Sequence, residues 1–524
     1  MVSKIFMGNM PELMEKILNN LNNEFYSLYS CALVSRHWCE VSIPILWQDP
    51  FSFYESPTFI SRYFASLNED DKLEAKEYGI TINFTNTLFN YASFLKVLNL
   101  HRLCIKVYQY SDKPRNNIFN IVNLLLKIFI KSGATLSKLD IRANSIEIKH
   151  EVISLLMENK RFLSQLKNVS IRLDYKETSV KNEITLLNIL AENTTKINYL
   201  EFCSYSNYNY EQRFYELIRI IKSQDQLRRF GFSGQNGLST EFSNVISALE
   251  THKKSLKEIS LQFNYYYENF DELINSEQLE VIHLKSCNEE IKLLKAINSG
   301  VCKVSTLEIC SRISENVPHI IQILEKSGPI LQRLSLDLSN EVYSQYSLLK
   351  TLMTFCPNII YLDIHEFELS IQFFKLINSL QKLQFLTLDW INNVSENVMA
   401  KYVKQFAEIL PSTLQYLNLR TSSHIDILLD HCDAPLKKLL FQLSCYMKEM
   451  KEIKSLIKFC KRKKTLNAVN IYVRRFFCGI GGYDGYLDRL SRTDELYINW
   501  NKIKKDLEGY VKLMPQDCII VNLV

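Results

Sequence analysis

Apolar residues recur along most of this chain in one fixed pattern: an apolar position, two free positions, a second apolar position, one free position and a third apolar position. The pattern occupies, for example, residues 166–171, 359–364 and 414–419. About fifteen copies run from Leu95 to a weaker last copy at residues 493–498, and after the first two they lie about 22 to 31 residues apart. A period kept over this length predicts a repeat array with one supersecondary unit per repeat.

Stretches with helical spacing of apolar residues separate the copies of this pattern. They occupy residues 184–190, 214–221, 242–249, 348–355 and 398–410, and each is typical of a short amphipathic helix. A strand followed by a helix cannot bury its apolar face alone. Neighbouring units are therefore expected to stack and to share one continuous core.

The period and the apolar pattern together resemble those of leucine-rich repeats. The resemblance covers residues 79–524 and implies an α/β solenoid curved as a horseshoe, with parallel strands on the concave side and helices on the convex side. The Asn or Cys that the family places shortly after each strand is present at Asn144, Asn264 and Cys287 but is replaced in most other copies. We therefore expect the local curvature to be irregular.

Four stretches depart from the regular period. The first two copies are about 41 residues apart, and residues 101–117 are expected to form a protruding loop in this gap. The apolar run 118–130 is too short to span a bilayer and predicts a buried helix. Residues 49–78 are interpreted as a joint, and the Gly-rich residues 479–485, which lack the Lys-Ser/Thr of a phosphate-binding loop, as a flexible insertion.

The first 48 residues carry a different pattern, with two helical runs. Pro11 suits the first turn of a helix, and apolar residues at helical spacing follow it as far as Leu21. A second run extends from Leu28 to Val41, and Pro44 is expected to end it. About 40 residues are too few to bury a self-sufficient core, so these apolar faces need a partner, either the repeats or another protein.

The residue types of this N-terminal segment resemble those of an F-box. The matching positions are Met10-Pro11 for the family's opening Leu-Pro, Ile17-Leu18, Leu21, the Val-Ser-Arg-x-Trp core at Val34-Ser35-Arg36-His37-Trp38, and Leu46-Trp47. The resemblance covers roughly residues 8–48, and its departures are Met in place of the first Leu and Asn22-Asn23-Glu24 in place of the usual acidic turn. It implies a three-helix domain at residues 1–48.

This resemblance implies a partner and a function. F-boxes dock onto a Skp-type adaptor and through it onto a cullin–RING ubiquitin ligase, so the chain is expected to be a non-catalytic substrate-recognition subunit of an SCF-type ligase. By resemblance, the adaptor-binding residues are Pro11, Leu13, Ile17, Leu21, Leu28, Val34 and Trp38. The alternative is an adaptor-independent scaffold in which the N-terminal helices only cap the repeats, since solenoids need capping units.

Three consecutive units stand out as a candidate substrate site on the concave side, because they place an aromatic residue at the same strand position with polar groups beside it. Side chains alternate along a strand, which assigns the following residues to this side: Tyr361, Asp363, His365, Phe385, Asp389, Tyr416 and Arg420. Exposed aromatic residues flanked by charge are typical of binding hot spots for a protein ligand. The alternative interpretation is that these rings pack only on one another.

Composition limits the remaining functions. The net charge is +5 over 524 residues and the basic residues are spread along the chain, so we expect no nucleic-acid partner. The basic run 458–464 is interpreted as a solvated helix face, with a nuclear-import or nucleic-acid patch as the alternative. Thirteen cysteines without a C-x-x-C motif, and nine histidines without paired spacing, predict reduced thiols and no metal site. Neither a signal peptide nor a membrane-spanning run is visible, which predicts an intracellular protein in the cytoplasm, the nucleus or both, without a membrane partner. No catalytic motif stands out, so neither enzymatic activity nor a cofactor is expected.

Overall fold

The computed structural model of the chain divides into two compact units, Met1–Leu273 and Ile274–Val524. Both are built from parallel strands that alternate with helices. The structure describes residues 11–22, 24–53, 57–80, 87–111, 115–142, 148–173, 180–204, 210–234, 239–262, 270–287, 290–300, 303–310, 316–337, 342–391, 394–420, 424–443, 451–473 and 500–513.

The first unit begins with a group of helices, and parallel strands follow in the order β1 to β6. Its helices are α1 (Pro11–Asn19), α2 (Phe25–Ala32), α3 (Arg36–Leu46), α4 (Glu69–Glu77), α5 (Leu100–Tyr110), α6 (Arg115–Lys131), α7 (His150–Glu158), α8 (Val180–Asn193), α9 (Tyr210–Lys222), α10 (Ser239–Glu250) and α11 (Phe270–Ile274). Its strands are β1 (Val97–Asn99), β2 (Lys138–Arg142), β3 (Asn168–Leu173), β4 (Tyr199–Ser204), β5 (Arg229–Gly234) and β6 (Glu258–Gln262). Short 3-10 helices lie at Pro50–Ser52, Pro57–Ser66, Tyr91–Phe94 and Lys160–Phe162.

The second unit continues the same alternation, with parallel strands in the order β7 to β15. Its strands are β7 (Val281–Lys285), β8 (Thr306–Cys310), β9 (Arg333–Asp337), β10 (Tyr361–Phe367), β11 (Phe385–Trp390), β12 (Tyr416–Leu419), β13 (Lys438–Leu443), β14 (Ala468–Val473) and β15 (Lys512–Leu513). Its helices are α12 (Glu290–Ser299), α13 (Val317–Ser327), α14 (Val342–Phe355), α15 (Ile371–Ser379), α16 (Glu396–Ile409), α17 (Ile425–His431), α18 (Lys451–Lys463) and α19 (Trp500–Leu507).

Strands β1 to β14 occupy the predicted apolar pattern, whereas β15 lies outside it, and most of the strands start in the same way. The backbone amides of Lys167 and Asn168, at the start of β3, both donate to the carbonyl of Ser137, at 2.8 and 3.1 Å, and this arrangement recurs in both units. Side chains along β3 alternate between partly exposed and buried, because the apolar positions point toward the helices. The stacked strand–helix repeats confirm the predicted α/β leucine-rich-repeat class. We call the opposite side of the strands, which carries the alternate side chains, the open face.

The protruding loop predicted at residues 101–117 is wrong, because α5 and the start of α6 occupy its described part. The side chain of Asn99 caps α5 by accepting the backbone N–H of Arg102 at 2.8 Å. Leu100, Leu103 and Val107 then lie buried on one face of the helix. Apolar residues three and four positions apart lie on one face of a helix, so the packing of this face stabilises α5 although polar residues separate its few apolar ones.

The second N-terminal run forms two helices instead of one, and Pro44 does not end it. Ser35 begins α3, because its side-chain oxygen accepts the backbone N–H of Trp38 at 3.3 Å. Pro44 lies inside α3, which continues to Leu46. The loss of one hydrogen bond near the C-terminal end of a helix is offset here by the burial of Ile45 and Leu46.

Most other predictions of helices and of single residues agree with the structure. The predicted helical stretches fall in α8, α9, α10, α14 and α16, with only Leu410 beyond the end of its helix, and the run 118–130 lies in the largely buried α6. Cys287 is buried, and its thiol donates to the Lys285 carbonyl at 3.8 Å. The weak copy at residues 493–498, the Gly-rich residues 479–485, Asn144 and Asn264 lie outside the described residues.

Candidate functional site

Helix α1 has apolar side chains on two faces, only one of which is buried. Met14 and Leu18 are buried. Leu13 and Ile17, one turn apart on another face, are 43% and 52% exposed. An apolar face that the chain itself leaves in water is typical of an interaction surface.

The second exposed apolar group lies where α2 ends and α3 begins. Leu28 in α2 is fully buried and holds the helices together, whereas Leu33 and Val34 are 70% and 63% exposed. Tyr26 and Tyr29, on the water-facing side of α2, are also exposed. We call the exposed residues Leu13, Ile17, Tyr26, Tyr29, Leu33 and Val34 the N-terminal apolar surface.

The residues predicted to bind an adaptor therefore occupy three different environments. Leu13, Ile17 and Val34 are exposed, Leu21 and Trp38 are partly buried, and Leu28 is in the interior of the segment. The side chain of Pro11, the residue that begins α1, lies outside the described part. Sequence reasoning missed Tyr26, Tyr29 and Leu33. Tyr26 and Tyr29 are three positions apart and out of phase with the buried Leu28, so they lie on another face of α2, and Leu33 follows the end of this helix.

The aromatic row predicted on the open face is formed by adjacent strands of the second unit. Tyr361 lies opposite Phe385 in the register of β10 and β11, and Phe385 lies opposite Tyr416 in that of β11 and β12. The ring centroids are 6.4 Å apart in the first pair and 6.0 Å in the second. Tyr361 and Tyr416 are only 4% and 1% exposed, whereas Phe385 is partly exposed. The two tyrosines thus support the row, and the accessible ring is that of Phe385.

Three predicted polar residues beside this row contact one another. His365 Nε2 lies 3.0 Å from Asp363 Oδ1, and Arg420 Nη2 lies 3.7 Å from Asp363 Oδ2. Arg420 Nη1 is also 3.4 Å from His365 Nδ1. The Asp363 carboxylate is buried and Asp389 is partly exposed, while Arg420 is exposed. The group therefore exposes the Arg420 cation and keeps the Asp363 carboxylate inside.

A second polar group lies on the open face at β7 and β8. His283 Nδ1 is 2.7 Å from Glu308 Oε2, and Lys285 Nζ is 3.0 Å from Glu308 Oε1. Burial alone would raise the pKa of Glu308, but the His283 hydrogen bond and the Lys285 charge together hold this pKa below its ordinary value of 4.5. The folded state therefore favours the ionised carboxylate.

This lowered pKa predicts an acid-sensitive contribution to stability. The pKa of Glu308 is lower in the folded chain than in the unfolded chain. Its contribution to the free energy of unfolding is therefore complete above the unfolded pKa and is lost as the pH falls through the folded pKa. We expect Glu308→Gln to lower the free energy of unfolding by about 1–3 kcal/mol at neutral pH. Denaturant titrations near pH 7 and pH 3 should show that the difference from the unaltered chain shrinks on acidification. A Glu277→Gln control, at an exposed position, should have little effect at either pH; an equal loss at both pH values for Glu308→Gln would contradict this account.

In the described part of the chain, no three or more His, Cys, Asp or Glu residues lie together in a way that could hold a metal ion. Burial raises the pKa of Cys356 to about 12 and that of Cys432 to about 11, so both thiols stay protonated at neutral pH. No described helix is long and apolar enough to cross a membrane.

The basic run 458–464 has two roles in the structure. Lys458 and Lys461 are exposed on α18, as a solvated helix face requires. Arg462 instead donates to the carbonyls of Leu429, Asp430 and Cys432 at 2.7–2.8 Å. This arginine therefore caps the C-terminal end of α17, where a positive charge is favourable.

Comparison with known proteins identifies the N-terminal segment. A family model described as F-box-like matches residues 11–52, which include α1, α2 and α3. A comparison with curated protein sequences found no significant match. The N-terminal segment is thus F-box-like, as its residue pattern predicted.

Solved structures also show similarity to the chain. A protein from Bacteroides fragilis is 13% identical, with a TM-score of 0.27, and the match covers 62% of this chain and 78% of that one. The complex of TLR13 with ssRNA13 contains a chain that is 14% identical, also with a TM-score of 0.27. That match covers 70% of this chain and 48% of the TLR13 chain, so the chain spans about half of its length.

Proposed function

We propose that this chain is the substrate-recognition subunit of an SCF-type cullin–RING ubiquitin ligase. The observation that carries the proposal is the F-box-like segment with its exposed apolar surface. The chain performs no bond chemistry in this role. It acts inside the cell and raises the effective concentration of a substrate protein near the ubiquitin-charged enzyme.

The N-terminal apolar surface is the proposed docking site for a Skp-type adaptor. Leu13, Ile17 and Val34 supply apolar area that is in water in the isolated chain and that a partner would remove from water. Leu21 and Trp38 are partly buried and add their exposed parts to the proposed contact. Leu28 acts indirectly, because its burial fixes α2 against α3 and so sets the positions of the exposed residues.

The open face of the second unit is the proposed substrate site. Its accessible groups are Arg420, Phe385, His365 and Asp389. Tyr361, Tyr416 and Asp363 are buried beside them and hold them in place. An exposed arginine next to an aromatic ring is a frequent anchor in protein–protein interfaces, so we infer a protein substrate and no nucleic acid or membrane.

Affinity purification from a cell extract, followed by mass spectrometry, tests both halves of the proposal. The unaltered chain should recover a Skp-type adaptor, a cullin and substrate proteins. Pro11→Ala combined with Leu13→Ala should lose the adaptor and the cullin but keep the substrates. Arg420→Glu should do the opposite, because it reverses the accessible charge of the substrate site. Recovery of the adaptor by none of the three chains would contradict the proposal.

The alternative function is an adaptor-independent interaction scaffold, and the capping role of the N-terminal segment favours it. The contact of the Trp47 ring with Tyr91, just before β1, is that of a cap. In that case deletion of residues 1–48 would unfold the repeats, and no adaptor would be recovered with the full chain. An apolar surface that stays exposed has no role in a cap, which is why we prefer the adaptor-binding function.

A further inference from the structure

The end of the F-box-like segment occupies the place of a strand that would precede β1. The backbone amides of Lys96 and Val97 both donate to the carbonyl of Gln48, at 3.0 and 2.9 Å. One repeat later, the amides of Ser137 and Lys138 donate in the same way to the carbonyl of Lys96, at 2.8 and 3.1 Å. Gln48 therefore continues the backbone ladder of the array by one position.

An aromatic cluster closes the same end of the array. The Trp47 ring lies 5.2 Å from that of Tyr63 and 4.2 Å from that of Tyr91. Tyr63 in turn contacts Phe129 of α6 at 5.0 Å, and Phe51 contacts Phe129 at 6.1 Å. Tyr63, Phe51 and Phe129 are all buried, so these rings cover the apolar end that a stack of repeats would otherwise expose.

Ion pairs attach the following helix, α4, to the same part of the array. Glu74 Oε2 lies 3.1 Å from Lys127 Nζ, and Asp71 Oδ2 lies 3.0 Å from Lys131 Nζ. Lys127 also pairs with Glu151 of α7 at 2.7 Å. Helix α4, which follows the aromatic cluster, is thus tied to α6 and through Lys127 to α7.

We propose that residues 47–53 and 57–66 form the N-terminal cap of the array, and that this cap joins helices α1–α3 and strands β1–β3 into one cooperative unit. A ligand that stabilises the N-terminal helices then also stabilises the first strands. The part of this inference that concerns an adaptor rests on the proposed function. Adaptor binding would therefore stabilise strands β1–β3 as well as hold the chain on the adaptor.

Hydrogen exchange of the free full chain tests the cooperative unit. Leu28→Ala removes a buried side chain from α2, and we expect it to speed amide exchange in β1–β3 by more than about tenfold. Leu456→Ala, at a fully buried position of α18 in the second unit, is the matched control and should leave β1–β3 unchanged. Faster exchange confined to residues 11–46 would overturn the proposal. Trp47→Phe, a milder change within the cluster, gives the same test if Leu28→Ala does not fold.

Addition of a purified Skp-type adaptor tests the coupling. Binding should slow amide exchange in the residues that the adaptor covers. It should also slow amide exchange in β1–β3 by more than about tenfold. A bound adaptor that protects only residues 11–46 would overturn the coupling and leave the proposed function intact. Absence of binding would overturn the proposed function and the coupling to adaptor binding. Hydrogen exchange of the free Leu28→Ala and Leu456→Ala variants would still decide whether the cap joins the helices and strands into one cooperative unit.

Discussion

Replacement of Ile17 and Val34 by aspartate is expected to weaken binding of a Skp-type adaptor by at least about a hundredfold. Both side chains are apolar and more than half exposed, so neither contributes much to the fold. In the complex each aspartate would place a carboxylate in an apolar interface, where its desolvation is not compensated by a partner. Biolayer interferometry with the purified double variant and an immobilised adaptor measures this loss.

The control for this experiment is an aspartate at an equally exposed apolar position outside the N-terminal segment. Ile371, at the start of α15, is 60% exposed, and Ile371→Asp should leave adaptor affinity unchanged. Both proteins should keep the circular dichroism spectrum of the unaltered chain. Equal affinity of the Ile17, Val34 double variant and the Ile371 variant would show that the adaptor does not bind this surface.

Trp47→Ala is expected to lower the free energy of unfolding of the first unit by about 3–5 kcal/mol, the usual cost of removing a large buried aromatic side chain. Trp47 is the last residue before the backbone ladder begins, and its ring contacts Phe59, Tyr63 and Tyr91. A cavity at this point would separate the N-terminal helices from the repeats. Denaturant unfolding followed by far-UV circular dichroism measures the effect.

The size of the fall in the free energy of unfolding shows whether the residues around Trp47 form a packed cap or only link the N-terminal helices to the repeats. Trp47→Phe keeps an aromatic ring and should cost less than Trp47→Ala. Leu88→Ala, at a position that is 92% exposed near the same junction, should be nearly neutral. An effect of Trp47→Ala as small as that of Leu88→Ala would mean that the aromatic cluster does not hold the junction together.

The strands of the array were predictable because their signal is local and repeated. An apolar residue at each of three fixed positions is enough to place β10 or β12, since every unit buries the same positions against the same kind of neighbour. Helix α5 was not predictable in this way. Its three buried apolar residues, Leu100, Leu103 and Val107, are separated by polar ones such as His and Lys, and only the adjacent helices show that this face is covered.

The candidate sites were predictable in position but not in exposure. The F-box pattern placed Leu28 and Val34 in one functional set, yet one is buried and the other exposed, because the direction of a side chain depends on where α2 ends and α3 begins. Likewise, strand alternation correctly assigned Tyr416 to the open face. Its near-complete burial results from packing with Phe385 and Leu440 of the neighbouring strands, which spacing alone does not reveal.

Isothermal titration calorimetry of the purified full chain with a purified Skp-type adaptor is the most direct test of the proposed function. We expect a saturable one-to-one complex whose heat signal disappears in the Ile17, Val34 double aspartate variant. A correctly folded chain that gives no binding heat, and that elutes separately from the adaptor in size-exclusion chromatography, would contradict the proposed function.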